Sequence, residues 1–411
     1  MGFFTLFKIA RRSVLRHRRR TLISVSAVGF SLGLAIFFIT LGDGVYRQLI
    51  EDAVRLHGGH LTVEDPMYEE APAVDLRVRG IEQLRHQVEA LPNVERTKAM
   101  VLGQGVAKSG AAAVGVAIMG VEPAVEKATS PLARRMQKGQ YLEDPDEPRI
   151  VVGSRLAERL KVGLGSKLVL ATNNAAGDLV EELVRVKGIF SMGTEETDAY
   201  LAQIPIGTAR RLFGLEPDAA TRLAVVLTDA REREPVLQAV QALAPPGAEA
   251  KPWEEVLPDL AAYIRIDRGS NLILQGILIF LSLFTVFNTV SMSVLERTRE
   301  FAVQLAIGTR LAALAAQVLL ESAVMGLVGC LFGIVLGGSV GFYFERHGLD
   351  IRTFYSEEVT VSGFAMDTVI RAYVSLERLA SLGGLVFLAT VAVGVIPLFG
   401  LRRIRVADVL R

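Results

Sequence analysis

The sequence lacks a P-loop for a nucleotide. A phosphate-cradling loop reads G-x-x-x-x-G-K-[ST] and opens a helix, because loop amides and a helix N-terminus together offset phosphate charge. The nearest approach is VGLGSKL, where Gly165, Ser166 and Lys167 follow a predicted helix instead of preceding one, so it reads as an ordinary turn. Cysteine is almost missing too. Cys330 is the single one, and it sits inside an apolar run, which excludes an internal disulfide. The five histidines are scattered, and no Ser/His/Asp grouping stands out for nucleophilic catalysis. His57 and His60 flank a Gly-Gly pair near Glu64 and Asp65, but without cysteine or repeated spacing the expectation there is a solvated loop, not a metal site. No catalytic residue, cofactor or metal ligand is assigned, and the chain is not expected to be an enzyme. Nor does one sign of charge dominate: 45 Lys and Arg against 44 Asp and Glu leave a net charge of +1.

What is plentiful is apolar sequence in long runs. About 20 apolar residues at ~1.5 Å each span the hydrocarbon of a bilayer. Four runs reach that length: Thr21 to Leu41, Leu272 to Leu295, Leu314 to Phe344, and Leu379 to Leu401, the last expected to kink at Pro397. The first run is long for a signal peptide and has no A-x-A-like site after it, which favours an uncleaved anchor. An even number of spans puts both termini on one side.

Charge indicates which side. Residues 1–20 carry Lys8, Arg11, Arg12, Arg16, Arg18, Arg19 and Arg20 with no acid, the stretch after the second span adds Arg297, Arg299 and Arg310, and the tail adds Arg402, Arg403, Arg405 and Arg411. All three clusters are expected in the cytoplasm. Residues 43–268 hold 27 Lys and Arg against 34 Asp and Glu, a net of −7 on the opposite side. A nucleic-acid binder would carry the reverse charge on its soluble part.

The fold class is therefore an α-helical membrane protein with four transmembrane helices and a large mixed α/β extracytoplasmic domain inserted between helices 1 and 2. The segments run as a basic amphipathic start (1–20), a first helix with stalk (21–56), the inserted domain (57–258), and a second stalk and helix (259–295). A connecting helix (296–313), the third span (314–344), an outer loop (345–378), the fourth span (379–401) and a tail (402–411) complete the chain. Val45, Leu49, Ala53 and Leu56 recur at helical spacing and carry the first span outward as a stalk. Within the domain, HLTVED, TKAMVLGQGVAKS, AAAVGVAIMGV and LAVVLTD read as strands, and IEQLRHQVEALP and EREPVLQAVQALAP as helices. RIVVGSRLAERLKVGLGSKLVLAT reads as strand, helix, turn and strand, with Asn173 to Asp178 turning back into LVEELVRVKGIF.

The most informative segment is LERTREFAVQLAIGTR, Leu295 to Arg310, between two spans. A short helix joining two spans must lie at the membrane surface. Phe301, Val303, Leu305, Ala306 and Ile307 can then face lipid or the bundle, and Glu296, Arg297, Arg299 and Glu300 a soluble partner. In the third span Gly329, Gly333, Gly337 and Gly341 recur every fourth residue on one stripe, suited to close helix approach either within the chain or at a subunit interface. Glu321, near the start of that span, is read as an interfacial residue or a coupling group.

Several stretches together resemble the permease family that includes the macrolide exporter, the cell-division permease and the lipoprotein-release permeases, the type VII or mechanotransmission ABC transporters. They are the basic start KIARRSVLRHRRRT, the stretch NTVSMSVLERTREFAVQLAIGTR followed by LLESAVMGLVG, the domain segment KGQYLEDPDEPRIVVGSRLAERLKVGLGSKLVL with VRVKGIF, and the closing IRVADVLR. Val406 stands where many members carry Pro. The resemblance implies a porter-like part at 57–121 and 217–257 around an inserted subdomain at 122–216. It implies two copies of a separate ABC ATPase, a second permease copy or paralogue, and contact with membrane lipid in the bacterial inner membrane. It also implies that Glu296, Arg297, Thr298, Arg299, Glu300, Phe301, Leu305 and Gly308 couple to that ATPase. Layout resembles the lipoprotein-release permeases most, so a lipoprotein substrate and a periplasmic carrier are expected, although the loop Asn173 to Asp178 is shorter than a carrier-recruiting arm. Efflux of amphiphilic compounds or peptides, or signalling to a periplasmic hydrolase, is the alternative.

Overall fold

The computed structural model describes residues 18–350, 360–361, 364–365 and 369–397. Most of the basic start, much of the expected outer loop, the end of the fourth apolar run and the 402–411 tail lie outside the described residues. Five helices organise the apolar sequence: α1 (Arg18–His57), α2 (Pro258–Glu296), the short α3 (Thr298–Ala306), α4 (Leu311–His347) and α5 (Leu376–Val393). All but α3 are long and apolar enough to cross a membrane. A large mixed α/β domain lies between the first and second of these four, as expected. Helix α5 ends four residues before Pro397, and residues 394–397 form turns. Proline removes an amide and its ring clashes with the carbonyl four residues back, here that of Val393. The expected kink at Pro397 depends on residues 398–401, which lie outside the described residues.

The chain divides into two compact units. Among the described residues, one holds 18–46, 265–350 and 369–397, and the other holds 47–264 with the short pieces 360–361 and 364–365. In the helical unit the core is small. Val28, Leu32 and Ile36 of α1 meet Val286, Val290 and Val294 of α2, Phe301 of α3, and Leu314, Val318 and Met325 of α4. The Ser24 hydroxyl donates to Thr289 Oγ1 at 2.6 Å, tying α1 to α2. Ser and Thr hydroxyls in apolar helix bundles commonly hydrogen-bond across helices in this way.

In the α/β unit the strands come in chain order as β1 (Leu61–Glu64), β2 (Val78–Arg79), β3 (Val94–Lys108), β4 (Ala113–Val121) and β5 (Met136–Gly139). Next are β6 (Arg149–Gly153), β7 (Lys167–Asn173), β8 (Leu179–Phe190) and β9 (Leu201–Pro205). The last three are β10 (Ala219–Ala220), β11 (Arg222–Leu227) and β12 (Glu249–Pro252). Ten of them form one sheet in the order β12-β1-β11-β3-β4-β9-β6-β8-β5, with β7 pairing to β3 and β8. The pairs β4–β9 and β6–β8 are parallel, and the remaining pairs in the sheet are antiparallel.

Strand β3 is the common element. Its first half pairs with β11 and its second half with β7, so strands from 57–121 and from 122–216 share the sheet. One hydrophobic cluster likewise draws on both stretches, from Leu61, Val63 and Val101 to Ile150, Leu168 and Val184. The turn between β7 and β8 is built by Asn174, whose Oδ1 accepts from the amides of Ala176 and Asp178, both at 2.9 Å. Such an Asx turn needs few residues, which keeps this hairpin tip short.

Candidate functional site

Helix α3 is held at both ends by its own sequence. At its start the Thr298 hydroxyl donates to the carbonyls of Val294 and Leu295, at 3.1 and 2.8 Å. At its end Gly308 takes φ +93°, and the Thr309 amide reaches back to Gln304 at 2.9 Å. A left-handed residue there costs glycine little and lets a late amide satisfy an orphan helix carbonyl. Gly308 is thus the stop signal of the helix.

The faces of α3 sort differently from the sequence expectation in one respect. Phe301 and Ala302 are buried and Leu305 is half-buried, whereas Glu296, Arg299, Glu300, Val303, Ala306 and Ile307 are exposed. Arg297, expected to face outward with the other charges, is turned in, its side chain 14% exposed. Its Nη1 donates to Glu321 Oε1 at 2.7 Å, its Nε donates to Glu300 Oε2 at 3.1 Å, and its guanidinium lies 5.1 Å over the Phe301 ring. Glu321, 8% exposed, is therefore matched inside the chain. A carboxylate in an apolar helix needs such a partner, because an isolated charge there costs several kcal/mol. The pair pins α3 to α4 across 24 residues of sequence, a distance no periodicity reports. The one available signal was a single acid inside an otherwise apolar run.

The glycine stripe of α4 faces α1 of the same chain. A Cβ on Gly333 would lie 2.8 Å from the Gly29 carbonyl oxygen, and one on Gly337 2.5 Å from that of Gly33. At Gly329 it would meet Val28 at 2.9 Å, and at Gly341 Val374 and Thr40 at 3.1 and 3.2 Å. Gly29 and Gly33 return the contact from α1 towards Gly329 and Gly333. Sequence reasoning missed this second small-xxx-small pair, although its spacing of four was visible. Of the two roles left open for the stripe, the geometry has this face occupied within the chain.

In the α/β unit the last turn of α1 is anchored by buried charge. The final carbonyls of a helix have no partner within it. Lys98 Nζ donates to one of them, that of Arg55, and to Glu126 Oε2 at 3.0 Å. Both side chains are 2% exposed, and Glu126 Oε1 has no hydrogen-bond partner among the described residues. His60 departs from expectation as well. It is buried, not in a solvated loop, and its Nδ1 accepts the Leu227 amide at 3.0 Å. Desolvation holds its pKa below the usual histidine value. Glu64, fully buried, accepts from Arg222 at 2.7 Å and Lys251 at 3.2 Å, so it serves the sheet. Among the described residues no group of three or more His, Cys, Asp or Glu could hold a metal ion.

Comparison with known proteins matches the chain in two stretches. A family model described as MacB-like periplasmic core domain matches residues 21–243, and one described as FtsX-like permease C-terminal matches residues 272–406. The macrolide export ATP-binding/permease protein MacB of Nitrobacter winogradskyi is 29% identical over 221 residues, covering 50% of this chain and 33% of its own length. The chain thus spans about a third of that relative. The lipoprotein-releasing system transmembrane protein LolE of Haemophilus influenzae is 22% identical over 321 residues, covering 76% of this chain and 75% of its own length. Among solved structures, the periplasmic region of MacB from Actinobacillus actinomycetemcomitans aligns over 49% of this chain and 93% of that one, at 10% identity and a TM-score of 0.36.

Proposed function

The chain belongs to the type VII ABC transporter permeases, which join a MacB-like periplasmic core domain to an FtsX-like permease region, and from that premise we propose that it couples a separate ATPase to movement of its α/β domain in releasing lipoproteins from the bacterial inner membrane. The observation that carries this reading is α3. Nine residues long, it leaves charged and apolar side chains exposed together, while Arg297 and Phe301 fix it to the bundle. A surface that is exposed yet rigidly mounted suits docking of a soluble subunit, since little side-chain and loop entropy is lost on binding. In this reading Glu296, Arg299, Glu300 and Ile307 face the ATPase in the cytoplasm, and Arg297 with Glu321 passes its push to α4. Two ATPase copies and a second permease copy or paralogue complete the assembly.

Lipoprotein release is favoured because the LolE match extends along three quarters of both chains. The second reading, expulsion of amphiphiles, is favoured by the MacB match. Reconstitution with the cognate ATPase in nanodiscs separates them, with ATP-dependent release of a lipoprotein as the first assay and of a labelled amphiphile as the second. Release of the amphiphile alone would replace the first reading by the second. For α3, Arg299→Glu combined with Ile307→Asp should lower ATPase co-purification or substrate-stimulated turnover about ten-fold or more. Its effect on stability should stay within about 0.5 kcal/mol, as for other surface changes. Undiminished co-purification and turnover in that variant would end the coupling role.

A further inference from the structure

The helical unit contains a cavity of about 360 Å³ between α1, α2 and α5. It lies at the end of the bundle where α1 leaves apolar sequence and α2 enters it. Ligand sites commonly have a few hundred Å³, mostly apolar walls and a few placed polar groups. Here Phe38, Leu272 and Leu385 supply apolar wall, and Asp43, Arg268 and Arg378 supply charge. Asp43 is ion-paired with Arg378, so each offsets the other. Arg268 has no such partner. Its guanidinium stacks 5.0 Å over the Tyr46 ring and makes no ion pair among the described residues. Asp267, the adjacent carboxylate, lies outside the cavity lining and is engaged instead by the Tyr46 hydroxyl and, at 3.1 Å, by Asn271 Nδ2. The Asn271 amide also donates to Tyr46 Oη at 2.9 Å, which fixes the ring under the guanidinium. The lining therefore carries one net positive charge at its polar end and an apolar wall below it.

We propose that this cavity binds a phospholipid of the adjoining leaflet, with its phosphate on Arg268 and its acyl chains along Phe38, Leu272 and Leu385. A guanidinium offers a fork of donors matched to phosphate oxygens. Free phosphate shares that chemistry but has no use for the apolar wall, so the wall selects the lipid. The site is independent of α3 and of any ATPase, and its failure would leave the coupling reading untouched.

The test is photo-crosslinking of the full chain, purified with its ATPase and reconstituted in nanodiscs of phosphatidylglycerol and phosphatidylethanolamine. A benzoylphenylalanine placed at Ser381, which also lines the cavity, should yield a phospholipid adduct detectable by mass spectrometry. Arg268→Glu should reduce the adduct about five-fold or more, and Arg268→Lys should restore most of it. Arg268 is exposed, so folding should survive. If Arg268→Glu nonetheless fails to fold, Arg268→Gln takes its place with the same expectation. An adduct undiminished by the loss of charge overturns the proposal. So does competition by millimolar inorganic phosphate, which would make the site one for a free anion, and so does a crosslink to a second permease copy in place of lipid.

Discussion

In the α/β unit Phe190, Leu223 and Val225 are fully buried, whereas Phe280, Leu281 and Phe284 of α2 are each more than half exposed. Identical side-chain chemistry goes inside in one region and outside in the other. The difference is the surrounding solvent. Water drives apolar groups inward, while hydrocarbon is as apolar as leucine and gives no such drive between helices. The α/β unit accordingly holds together through a wide closed core. The helical unit relies on shape: α4 approaches α1 closely where Gly333 and Gly337 present no side chain. Charge follows a common rule in both. Lys98 with Glu126, and Arg297 with Glu321, enter low-dielectric surroundings only as matched pairs.

The most demanding challenge to this contrast is the buried pair of the α/β unit. Lys98→Met strands a carboxylate and a helix carbonyl, and should cost about 3–5 kcal/mol. Lys98→Met with Glu126→Leu should recover most of that loss, because paired removal leaves no buried charge. Trp253, the single tryptophan and buried in this unit, reports the unfolding. A double variant as unstable as the single one would mean that the pair is not what the site depends on.

Next in size is the leucine comparison. Leu223→Ala should cost about 2–5 kcal/mol through lost burial and a residual cavity. Leu281→Ala should stay within about 0.5 kcal/mol, since lipid fills the space it leaves. Thermal unfolding in detergent or nanodiscs measures both. Equal losses would show that the Leu281 face of α2 is covered by protein.

A smaller loss than that at Leu223 is expected at the stripe. Gly333→Leu with Gly337→Leu forces side chains into space now held by the Gly29 and Gly33 carbonyls and should cost about 1–3 kcal/mol. Folded yield and melting temperature are the readouts. Wild-type values for both would detach α4 from α1 at this face.

Much of this architecture could be read from residue order alone. The strands of the inserted domain follow from alternation, as in AAAVGVAIMGV, and the spans from run length, because both signals are local and repeat with a fixed period. The turn from Asn173 to Asp178 was likewise marked by residue types that suit special backbone conformations. Other features were not legible. His60 looked solvated because its neighbours are polar, yet β11 folds over it from 167 residues away. Arg297 looked outward-facing because its neighbours are charged, yet Glu321 turns it in.

By itself the sequence determined that the chain spans a membrane four times, carries a large α/β insertion, and presents a short charged helix between two spans. Each of those rests on composition and periodicity within a window of some twenty residues. Only the tertiary structure decided which helix the glycines meet, which carboxylate each buried cation finds, and that α1, α2 and α5 enclose a cavity with Arg268 at its rim. Those are contacts between residues far apart in the chain. Their energy depends on distance and dielectric in three dimensions, and no local pattern of residues encodes it.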